Sequence, residues 1–493
     1  MRNYFGKIQK RTIMKKYITT PIYYVNAKPH VGHAYTSIAA DVLTRYWRKQ
    51  GDEVFFLTGT DEHGAKIAEA AEGAGMDPKD FVDSLVPQFK AILESCEVEY
   101  SEFIRTTDSK HEEEVVRFVQ RLIESGNVEK KSYTGLYCVG CERFLLPDEL
   151  KDGKCPDHNR VPEEKSEENY FFKLSNFGDI LIEKIESGEL EILPEQRKNE
   201  VLGKINQGLT DVSISRGEVK WGIPFPNDPS QTIYVWVDAL INYYSATKMY
   251  QNPPKWPADL HLMAKDILWF HAVIWPAMLI AIGEAVPKKV FAHGFFTVDG
   301  KKMSKSLGNV LDPALLAEKF GSDAVRYSLL REFPFGEDGD ISIEKIKLRY
   351  DSELCNGIGN LVQRTLSMIN RYELTEKTRE AIKNLEKSDI LIEKIEESER
   401  NFDEKMEKLR FDHCLEGINS IVTELNGFIE REKPWVLAKE GESEKLFSTL
   451  YYVFLKLSVV LKLIDPFMPK TAKVLSLQLE SFEPKPLFPR LEN

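Results

Sequence analysis

The stretch PIYYVNAKPHVGHAYTSIAADV, residues 21–42, places His30 and His33 three residues apart on either side of Val31 and Gly32. The pair lies where an apolar run gives way to a helical pattern. Two histidines at this spacing have three explanations: they bind a metal, they pack in the core, or they handle a phosphate. The surrounding sequence has to decide between these explanations.

The flanking residues predict a parallel strand–helix–strand unit. Residues 15–25 are rich in β-branched and aromatic side chains, which predicts a strand. Residues 34–50 have one apolar face, which predicts a helix. The segment EVFFLTGTDEHG then predicts a second strand, apolar on both faces and therefore covered by helices on both sides. In such a sheet the polar loops 26–33 and 59–64 both leave the carboxyl edge, where ligands bind.

Composition excludes several classes of protein. The 493 residues exceed one ordinary core, and no uninterrupted apolar run is long enough to span a bilayer. The net charge of −12 argues against indiscriminate nucleic-acid binding. Six unevenly spaced cysteines suit a reducing cytoplasm better than a disulfide framework. Residues 1–14 are basic without an apolar signal region, and we expect them to be a disordered extension, with a short organellar transit sequence as the alternative.

The pattern changes twice along the chain. Short strands, cysteine pairs and charged turns at 115–228 predict an inserted domain, and from about 345 onward long amphipathic helices predict a bundle. Asp299-Gly300 between apolar and basic flanks predicts a hairpin turn. We therefore expect an α/β fold divided as follows: an extension at 1–14, a catalytic sheet domain at 15–114 and 229–298, an insertion at 115–228, a loop region at 299–350, and a helical domain at 351–493.

Two ligand pairs in the insertion predict a zinc site. Cys138-x-x-Cys141 and Cys155-x-x-His158 flank the tight-turn sequence KDGK and offer four soft ligands in the number that Zn²⁺ prefers. Because protein would fill all four positions, the metal would be structural. Two alternatives remain open: four unrelated residues, or a three-cysteine site with His158 only nearby.

A lysine loop gives the histidine pair a partner. His30 and His33 lie at a strand-to-helix junction, where backbone N–H groups and the helix dipole favour an anion. Downstream, KKMSKS places Lys302 and Lys305 on a glycine-flanked loop that suits a polyphosphate. Either feature alone would be explained by packing or by a solvated charged surface. Together they predict one nucleoside triphosphate held between imidazoles and ammonium groups.

At this point the sequence resembles a known family. HVGH and KMSKS look like the two signature motifs of class I aminoacyl-tRNA synthetases, and residues 15–470 resemble the methionyl-tRNA synthetases of the bacterial type with a single zinc knuckle. Val31 stands where isoleucine is commonest. The resemblance implies a Rossmann-like parallel-sheet catalytic domain, an inserted zinc-knuckle connective domain and an α-helical anticodon-binding bundle. It also implies activation of methionine with ATP and Mg²⁺, followed by transfer of the methionyl group to tRNA(Met).

The same resemblance implies roles for individual residues. His30 and His33 would contact the ATP phosphates, Gly32 would make room for adenine and ribose, and Asp266 would hold the ribose. Lys302 and Lys305 would neutralise the departing pyrophosphate, with Lys305 contributing more. Asp61 would face the methionine ammonium. The implied lining of the methionine pocket is Ile22, Tyr24, Trp236, Ala239, Leu240, Tyr243, Ile267 and His271. Leu240 replaces a proline found in some relatives, and each apolar member taken singly is explained equally well by ordinary core packing.

The C-terminal helices hold the implied anticodon readers. Asn360 and Arg364 are one helical turn apart, and Trp435 follows Pro434 at the start of another helix. Unpaired bases are read by hydrogen bonds to their edges and by stacking on aromatic rings. A surface amide–guanidinium pair and a packed tryptophan are the simpler alternatives. Some relatives carry a C-terminal tRNA-binding barrel that dimerises the enzyme. This chain ends soon after its last helical pattern, so we expect a monomer. From the cysteines and the apolar runs we expect a cytoplasmic protein without a membrane partner.

Three rival functions remain at this stage. Synthetases for leucine, valine or isoleucine carry a larger insertion, and a cysteine enzyme would place zinc in its amino-acid pocket. A nucleotidyltransferase without a tRNA partner would leave the C-terminal helices without a role. A non-catalytic tRNA-binding relative would not need both ATP motifs intact.

Overall fold

The structure is a computed structural model that describes residues 12–26, 29–138, 143–145, 149–156, 159–302, 310–383 and 400–491. Within these residues the strands, numbered along the chain, are β1 Lys15–Thr19, β2 Tyr23–Tyr24, β3 Glu53–Asp61, β4 Glu102–Arg105, β5 Val128–Cys138, β6 Arg143–Leu145, β7 Glu163–Phe172, β8 Glu191–Leu193, β9 Val212–Ser213, β10 Ser215–Arg216, β11 Pro224–Phe225, β12 Asp228–Ile233, β13 Leu260–Ala264, β14 Lys289–His293, β15 Phe296–Val298, β16 Lys301–Lys302 and β17 Gly339–Ile341.

The α-helices of the described residues are numbered in the same way. They are α1 Val31–Lys49, α2 Ala65–Ala74, α3 Pro78–Ser95, α4 Ser109–Glu124, α5 Gly178–Glu186, α6 Glu195–Asn206, α7 Val235–Met249, α8 Trp275–Ala281, α9 Pro313–Phe320, α10 Ser322–Arg331, α11 Ile343–Arg349, α12 Asn360–Arg371, α13 Thr375–Lys383, α14 Phe411–Glu432, α15 Pro434–Glu440, α16 Ser443–Ile464 and α17 Pro469–Ser481. Short 3₁₀ turns occupy Leu174–Phe177 and Lys265–Ile267, π-helical segments occupy Phe270–Ile274 and Tyr350–Gly359, and residues 400–407 are also helical.

A parallel sheet organises the catalytic part of the molecule. Its strand order is β2-β3-β1-β13-β14-β8, and β4 also pairs with β3. The parallel pairing of β1 with β3 on one side and with β13 on the other confirms the predicted strand–helix–strand unit. From β1 the strand order runs outward in both directions, through β3 and β2 on one side and through β13, β14 and β8 on the other. The point at which the strand order reverses, the topological switch point, therefore lies between β1 and β13. Ligands bind at the carboxyl edge of a parallel sheet at such a point.

Alternating side chains give this sheet two buried faces. Ile18 and Phe56 belong to one apolar cluster, whereas their chain neighbours Tyr17 and Leu57 belong to a second. The first cluster continues into α1, α3 and the C-terminal helices, and the second takes in residues of α4, α7 and α8. Burial on both faces explains why β3 is apolar throughout rather than alternating. The C-terminal helices therefore share one core with the sheet.

The segment between α4 and α7 contains antiparallel sheets. Strands β6-β5-β7-β9 form one sheet and β10-β12-β11 form another. Strand β8 lies in this segment of the chain but pairs in parallel with β14, at the edge of the central sheet. Further along, β15 and β16 form an antiparallel hairpin whose turn residues, Asp299 and Gly300, have φ of 52° and 72°. The predicted hairpin is confirmed.

One element differs from the sequence expectations, because the predicted strand at 15–25 is two short strands, β1 and β2. Helix α16 is long and apolar enough to cross a membrane by length and composition, and 61% of its most apolar window is buried inside the protein. Lys456 and Lys462 interrupt it, so the sequence has no uninterrupted apolar run here. Most of its buried residues belong to the core shared with the other C-terminal helices.

Candidate functional site

His30 and His33 cap the amino end of helix α1, which follows strands β1 and β2 of the central sheet. His30 is the N-cap of α1, and its Nδ1 accepts a hydrogen bond of 3.1 Å from the backbone N–H of Gly32. Nδ1 of His33 accepts one of 3.0 Å from the N–H of His30, and the two rings stack with centroids 4.1 Å apart. Because both Nδ1 atoms accept, a neutral ring carries its proton on Nε2. Each ring therefore presents an N–H donor suited to an anionic oxygen.

Gly32 makes this arrangement sterically feasible. A Cβ added at Gly32 would lie 3.0 Å from Cε1 and 3.1 Å from Nδ1 of His30. The imidazole thus occupies the space that a side chain would fill. The sequence interpretation, that Gly32 makes room for the adenine and ribose, remains a prediction, since the structure puts the His30 ring against that backbone.

The segment after the lysine loop contacts the histidine helix. The N–H of Val31 donates to the carbonyl of Leu311 at 3.1 Å, and Thr36 on α1 is hydrogen-bonded to His293 at the end of β14, 2.6 Å between Oγ1 and Nε2. These contacts bring the residues that flank the loop to the N-terminal part of α1. Lys302 ends β16, but its side chain, like the whole of Lys305, lies outside the described residues.

The residues predicted to bind methionine lie at or after the carboxyl ends of three neighbouring strands. Ile22 and Tyr24 follow β1, Asp61 ends β3, and Ile267 and His271 follow β13. Tyr24 pairs with Asp61 in the register of β2 and β3. The carboxyl ends of β1, β3 and β13 therefore bring together residues that are up to 249 positions apart in the chain.

Helix α7 supplies the other wall of this pocket. The Tyr243 hydroxyl is 2.8 Å from Nε2 of His271, whose Nδ1 is 2.9 Å from the carbonyl oxygen of Ile267. Because a carbonyl only accepts, His271 carries its proton on Nδ1 and accepts from the phenol. Burial raises the pKa of Tyr243, and the charge of Asp61 adds to this shift. Burial lowers the pKa of His271 to about 4, which keeps the ring neutral.

Apolar packing surrounds these polar contacts. The ring of Trp236 stacks on Phe270 with centroids 4.0 Å apart and remains only partly buried. Ala239 and Leu240, on the same helix as Tyr243, are 6% and 1% exposed. Most of the predicted pocket belongs to, or packs against, one apolar cluster, namely Ile22, Tyr24, Trp236, Leu240, Tyr243 and Ile267.

Asp266 occupies the 3₁₀ turn directly after β13 and is exposed. Its neighbour Lys265 is ion-paired with Asp338 at 2.6 Å, which holds this turn against the segment before β17. Asp266 is thus at the carboxyl edge of the sheet, like the histidine pair, and directly follows β13, which borders the switch point.

Half of the predicted zinc ligands lie in the described part of the chain. Cys138 and Cys155 are buried and share one small cluster with Leu145. The KDGK turn is confirmed, because Lys151 bridges Lys154 across Asp152 and Gly153, both with positive φ. Cys141 and His158 lie outside the described residues, and the rest of that part of the chain contains no group of three ligand-type side chains that could hold a metal. Two buried thiols in a cluster too small for its own core fit a structural zinc ion.

The predicted anticodon residues lie on the C-terminal helices, apart from the sheet edge. Asn360 begins α12 and is exposed, and Arg364 lies one turn later with its guanidinium 5.9 Å from the centre of the Trp435 ring. Trp435 is 41% exposed, and Arg364 also pairs with Glu430 at 2.8 Å. The structure therefore brings Arg364 and Trp435 together on one exposed surface.

Sequence reasoning missed a buried polar cluster beside the pocket. Asp238 on α7 is 1% exposed and is bonded to His63 and His111. One signal was available, since Asp238 is the only charged residue in the apolar run YVWVDALINYY. His261 was also missed: it stacks obliquely on Tyr243 and contacts Thr19 at 2.6 Å.

Comparisons with known proteins agree with this geometry. The chain matches the family model described as tRNA synthetases class I (M) over residues 16–160 and 145–366. It is 46% identical to the methionine–tRNA ligase of Caldanaerobacter subterraneus subsp. tengcongensis over 94% of this chain and 74% of that one. It is 44% identical to the ligase of the same name from Thermotoga maritima, covering 97% and 77% of the two chains.

A solved structure agrees over nearly the whole fold. Mycobacterium tuberculosis methionyl-tRNA synthetase in complex with methionyl-adenylate superimposes with a TM-score of 0.88 at 36% identity, covering 97% of this chain and all of that one. Both the sheet and the C-terminal helices are included in a match of this extent. The chain belongs to the methionyl-tRNA synthetase family of class I aminoacyl-tRNA synthetases.

Proposed function

We propose that this protein activates methionine with ATP to form methionyl-adenylate and then transfers the methionyl group to tRNA(Met). The observation that carries the proposal is the stacked His30–His33 cap at the switch point, in a chain that belongs to this family. The reaction is chemically difficult because the methionine carboxylate must attack an α-phosphate that is already negative. Orientation and charge stabilisation can supply the acceleration, so no side-chain nucleophile is required.

The triphosphate binds across the amino end of α1. His30 and His33 donate from Nε2 to phosphate oxygens, and the N-terminal dipole of the helix favours the same charge. ATP enters as its Mg²⁺ complex. Lys302 and Lys305 approach from the other side and neutralise the pyrophosphate as it leaves, with Lys305 contributing more. Asp266 holds the ribose. The hydrogen bond from Val31 to Leu311 supports this assignment because it fixes the segment after the lysine loop against the helix that carries the histidines.

Methionine binds between the strand ends and α7. Asp61 pairs with the α-ammonium group, and the thioether lies among apolar walls lined as predicted above. The His271–Tyr243 contact orients the phenol, because a ring with its proton on Nδ1 can only accept at Nε2. Homocysteine lacks the terminal methyl group of methionine, and norleucine has a methylene in place of its sulfur. A difference of one such group changes binding by only about 1–3 kcal/mol, so both are rejected incompletely by binding alone.

The proposed zinc ligands and anticodon readers do not contact the reacting groups. A structural Zn²⁺ ion held by Cys138, Cys141, Cys155 and His158 would stabilise the end of β5 and the KDGK turn. Asn360, Arg364 and Trp435 read the anticodon, with the partly exposed indole as the stacking surface. We place this activity in the cytoplasm, with a monomer as the working unit.

Amino-acid-dependent exchange of pyrophosphate into ATP tests the proposal. The purified protein is assayed with each of the twenty amino acids, with Mg²⁺ present and without tRNA. We expect exchange with methionine alone. Exchange with leucine, isoleucine, valine or cysteine instead would assign another specificity, and exchange with none of the twenty would favour a binding protein.

A further inference from the structure

A buried carboxylate outside the proposed reaction has two histidine partners. Oδ2 of Asp238 accepts a hydrogen bond of 2.8 Å from Nδ1 of His63, and Oδ1 accepts one of 2.8 Å from Nε2 of His111. Both histidines are the donors because an ionised carboxylate can only accept. Asp238 is 1% exposed, and a buried charge persists only when it is paired and hydrogen-bonded. Removing either histidine therefore leaves one carboxylate oxygen of the buried Asp238 without this hydrogen-bond donor.

The position of this cluster connects the two halves of the methionine pocket. His63 follows Asp61, the proposed ammonium partner, by two residues. Asp238 directly precedes Ala239 and Leu240, which line the proposed side-chain wall. The His63–Asp238 hydrogen bond thus joins the loop after β3 to the first turn of α7.

Other contacts hold the same loop from different directions. Nε1 of Trp221 donates to the carbonyl of Glu62 at 2.6 Å, and the N–H of Gly64 donates to the carbonyl of Trp221 at 3.0 Å. Arg105 binds both carboxylate oxygens of Glu62 at 2.7 Å. These contacts anchor the loop to the insertion and to the end of β4, whereas His63 sets its distance from α7.

We propose that Asp238, acting through His63, is a positioning residue that holds Asp61 at its working distance from the side-chain wall of the methionine pocket. This inference rests on the proposed function, because it assigns a role in methionine affinity. Asp238 does not touch methionine in this account. It acts by fixing the separation between the group that binds the ammonium and the surface that binds the thioether.

The charge of His63 makes the positioning sensitive to pH. The charged groups near its ring include Asp238 on α7, Glu112 on α4, whose Oε1 is 3.7 Å from Nε2, and Glu62 on its own loop. The Trp221 indole lies 5.3 Å away, and Arg216, Tyr137 and Tyr234 line the same small cavity as His63. Burial opposes the charged ring, but the hydrogen bond to Asp238 and the three carboxylates outweigh it, so the pKa of His63 is raised. As pH rises through that pKa, the ion pair becomes a hydrogen bond from a neutral imidazole to the Asp238 carboxylate and is weaker. We expect the KM for methionine to increase over this range.

Two substitutions at one position separate positioning from general damage. In His63→Asn the amide nitrogen takes the place of Nδ1 and can still donate to Asp238, but it cannot be protonated. In His63→Gln the amide nitrogen takes the place of Nε2, which leaves Oδ2 of Asp238 without its donor. Asp238→Asn removes the negative charge of the carboxylate. The control for loss of an imidazole is His413→Gln, since His413 is a partly exposed histidine on α14.

The readout is methionine-dependent pyrophosphate exchange, with KM measured separately for methionine and ATP between pH 6 and 8.5. We expect His63→Gln and Asp238→Asn to raise the methionine KM roughly tenfold, as for loss of a hydrogen bond to a charged group, with kcat and the ATP KM within about twofold of wild type. His63→Asn should keep most of the affinity and lose the pH dependence. If His63→Gln binds methionine as wild type does, or if the KM values for both substrates rise together, the inference is overturned. Wild-type protein without methionine-dependent exchange would instead contradict the proposed function itself.

Discussion

Gly32 lies in the first turn of α1, directly beside the ring of His30. Alanine in place of glycine within a helix usually stabilises by up to about 1 kcal/mol. At Gly32, however, the new Cβ would lie 3.0 Å from the His30 ring that caps α1. The stability preference and the geometry of the histidine pair therefore oppose each other at this position.

We predict that Gly32→Ala lowers the exchange rate by at least about tenfold, since it displaces a ring proposed to bind phosphate, while the melting temperature changes little. Gly73→Ala is the matched control, because a Cβ at Gly73 on α2 meets no atom within 4 Å. It should leave exchange unchanged. Equal exchange rates for the two variants would show that the His30 ring position does not matter for the reaction.

Buried neutral histidines determine part of the response to acid. Burial lowers the pKa of His293 to about 4, as it does for His271. Between pH 6.5 and 4 the unfolded chain therefore binds protons that the folded chain does not. The folded state loses stability as pH falls through this window, by up to about 1.4 kcal/mol per pH unit for each such histidine.

We predict that His293→Gln reduces this acid sensitivity. The drop in melting temperature between pH 7.5 and pH 5.5 should be smaller in the variant than in wild type, whatever the absolute melting temperatures. Calorimetry at the two pH values measures it. An identical drop in both proteins would show that His293 is not held neutral.

At the scale of elements, sequence patterns predicted what depends on local periodicity. The apolar faces of α1 and β3, the Asp299-Gly300 hairpin and the KDGK turn all have short-range signals, and each is present. Strand β8 has only three residues and joins the central sheet through β14, nearly 100 residues later, so no local pattern could place it. The Asp238 cluster was missed for the same reason, since His63, His111 and Asp238 are distant in the chain.

The proposed zinc knuckle is an element whose stability depends on its metal. We predict one zinc ion per chain by metal analysis and a loss of zinc in Cys155→Ser, which removes a buried thiol ligand. The control is Cys355→Ser, which replaces a partly buried free thiol in the π-helical segment and should leave the zinc content unchanged. Full zinc content in Cys155→Ser would contradict the assignment of this cysteine.

At the scale of the whole molecule, one buried ion pair joins the catalytic sheet to the C-terminal helices. Arg326 on α10 is fully buried and lies 2.6 Å from the carboxylate of Asp41 on α1. It also donates to the carbonyls of Pro466 at 3.0 Å and Phe467 at 2.7 Å, between α16 and α17. The helix that carries the histidine pair and the helical bundle are thus connected through one guanidinium.

We predict that Arg326→Met lowers stability by about 3–5 kcal/mol. It removes one cationic partner of the buried Asp41, which keeps Arg45 at 2.8 Å, and it leaves the carbonyls of Pro466 and Phe467 without this donor. The double variant Asp41→Asn with Arg326→Met should recover part of the loss. Thermal unfolding of the single and double variants measures the coupling, with Glu404→Gln in an exposed pair as a control expected to be silent. Additive losses would mean that the two side chains are not coupled.

We propose that two separate regions divide the reaction: methionine is activated at the sheet edge, and tRNA is recognised at the surface around Trp435. The most direct test is to measure methionine-dependent pyrophosphate exchange and methionine charging of tRNA(Met) side by side in wild type and Trp435→Ala. We predict that charging efficiency falls roughly tenfold or more, as expected for loss of one base-stacking contact, while exchange stays within about twofold. Equal losses in both reactions, or unchanged charging, would contradict it.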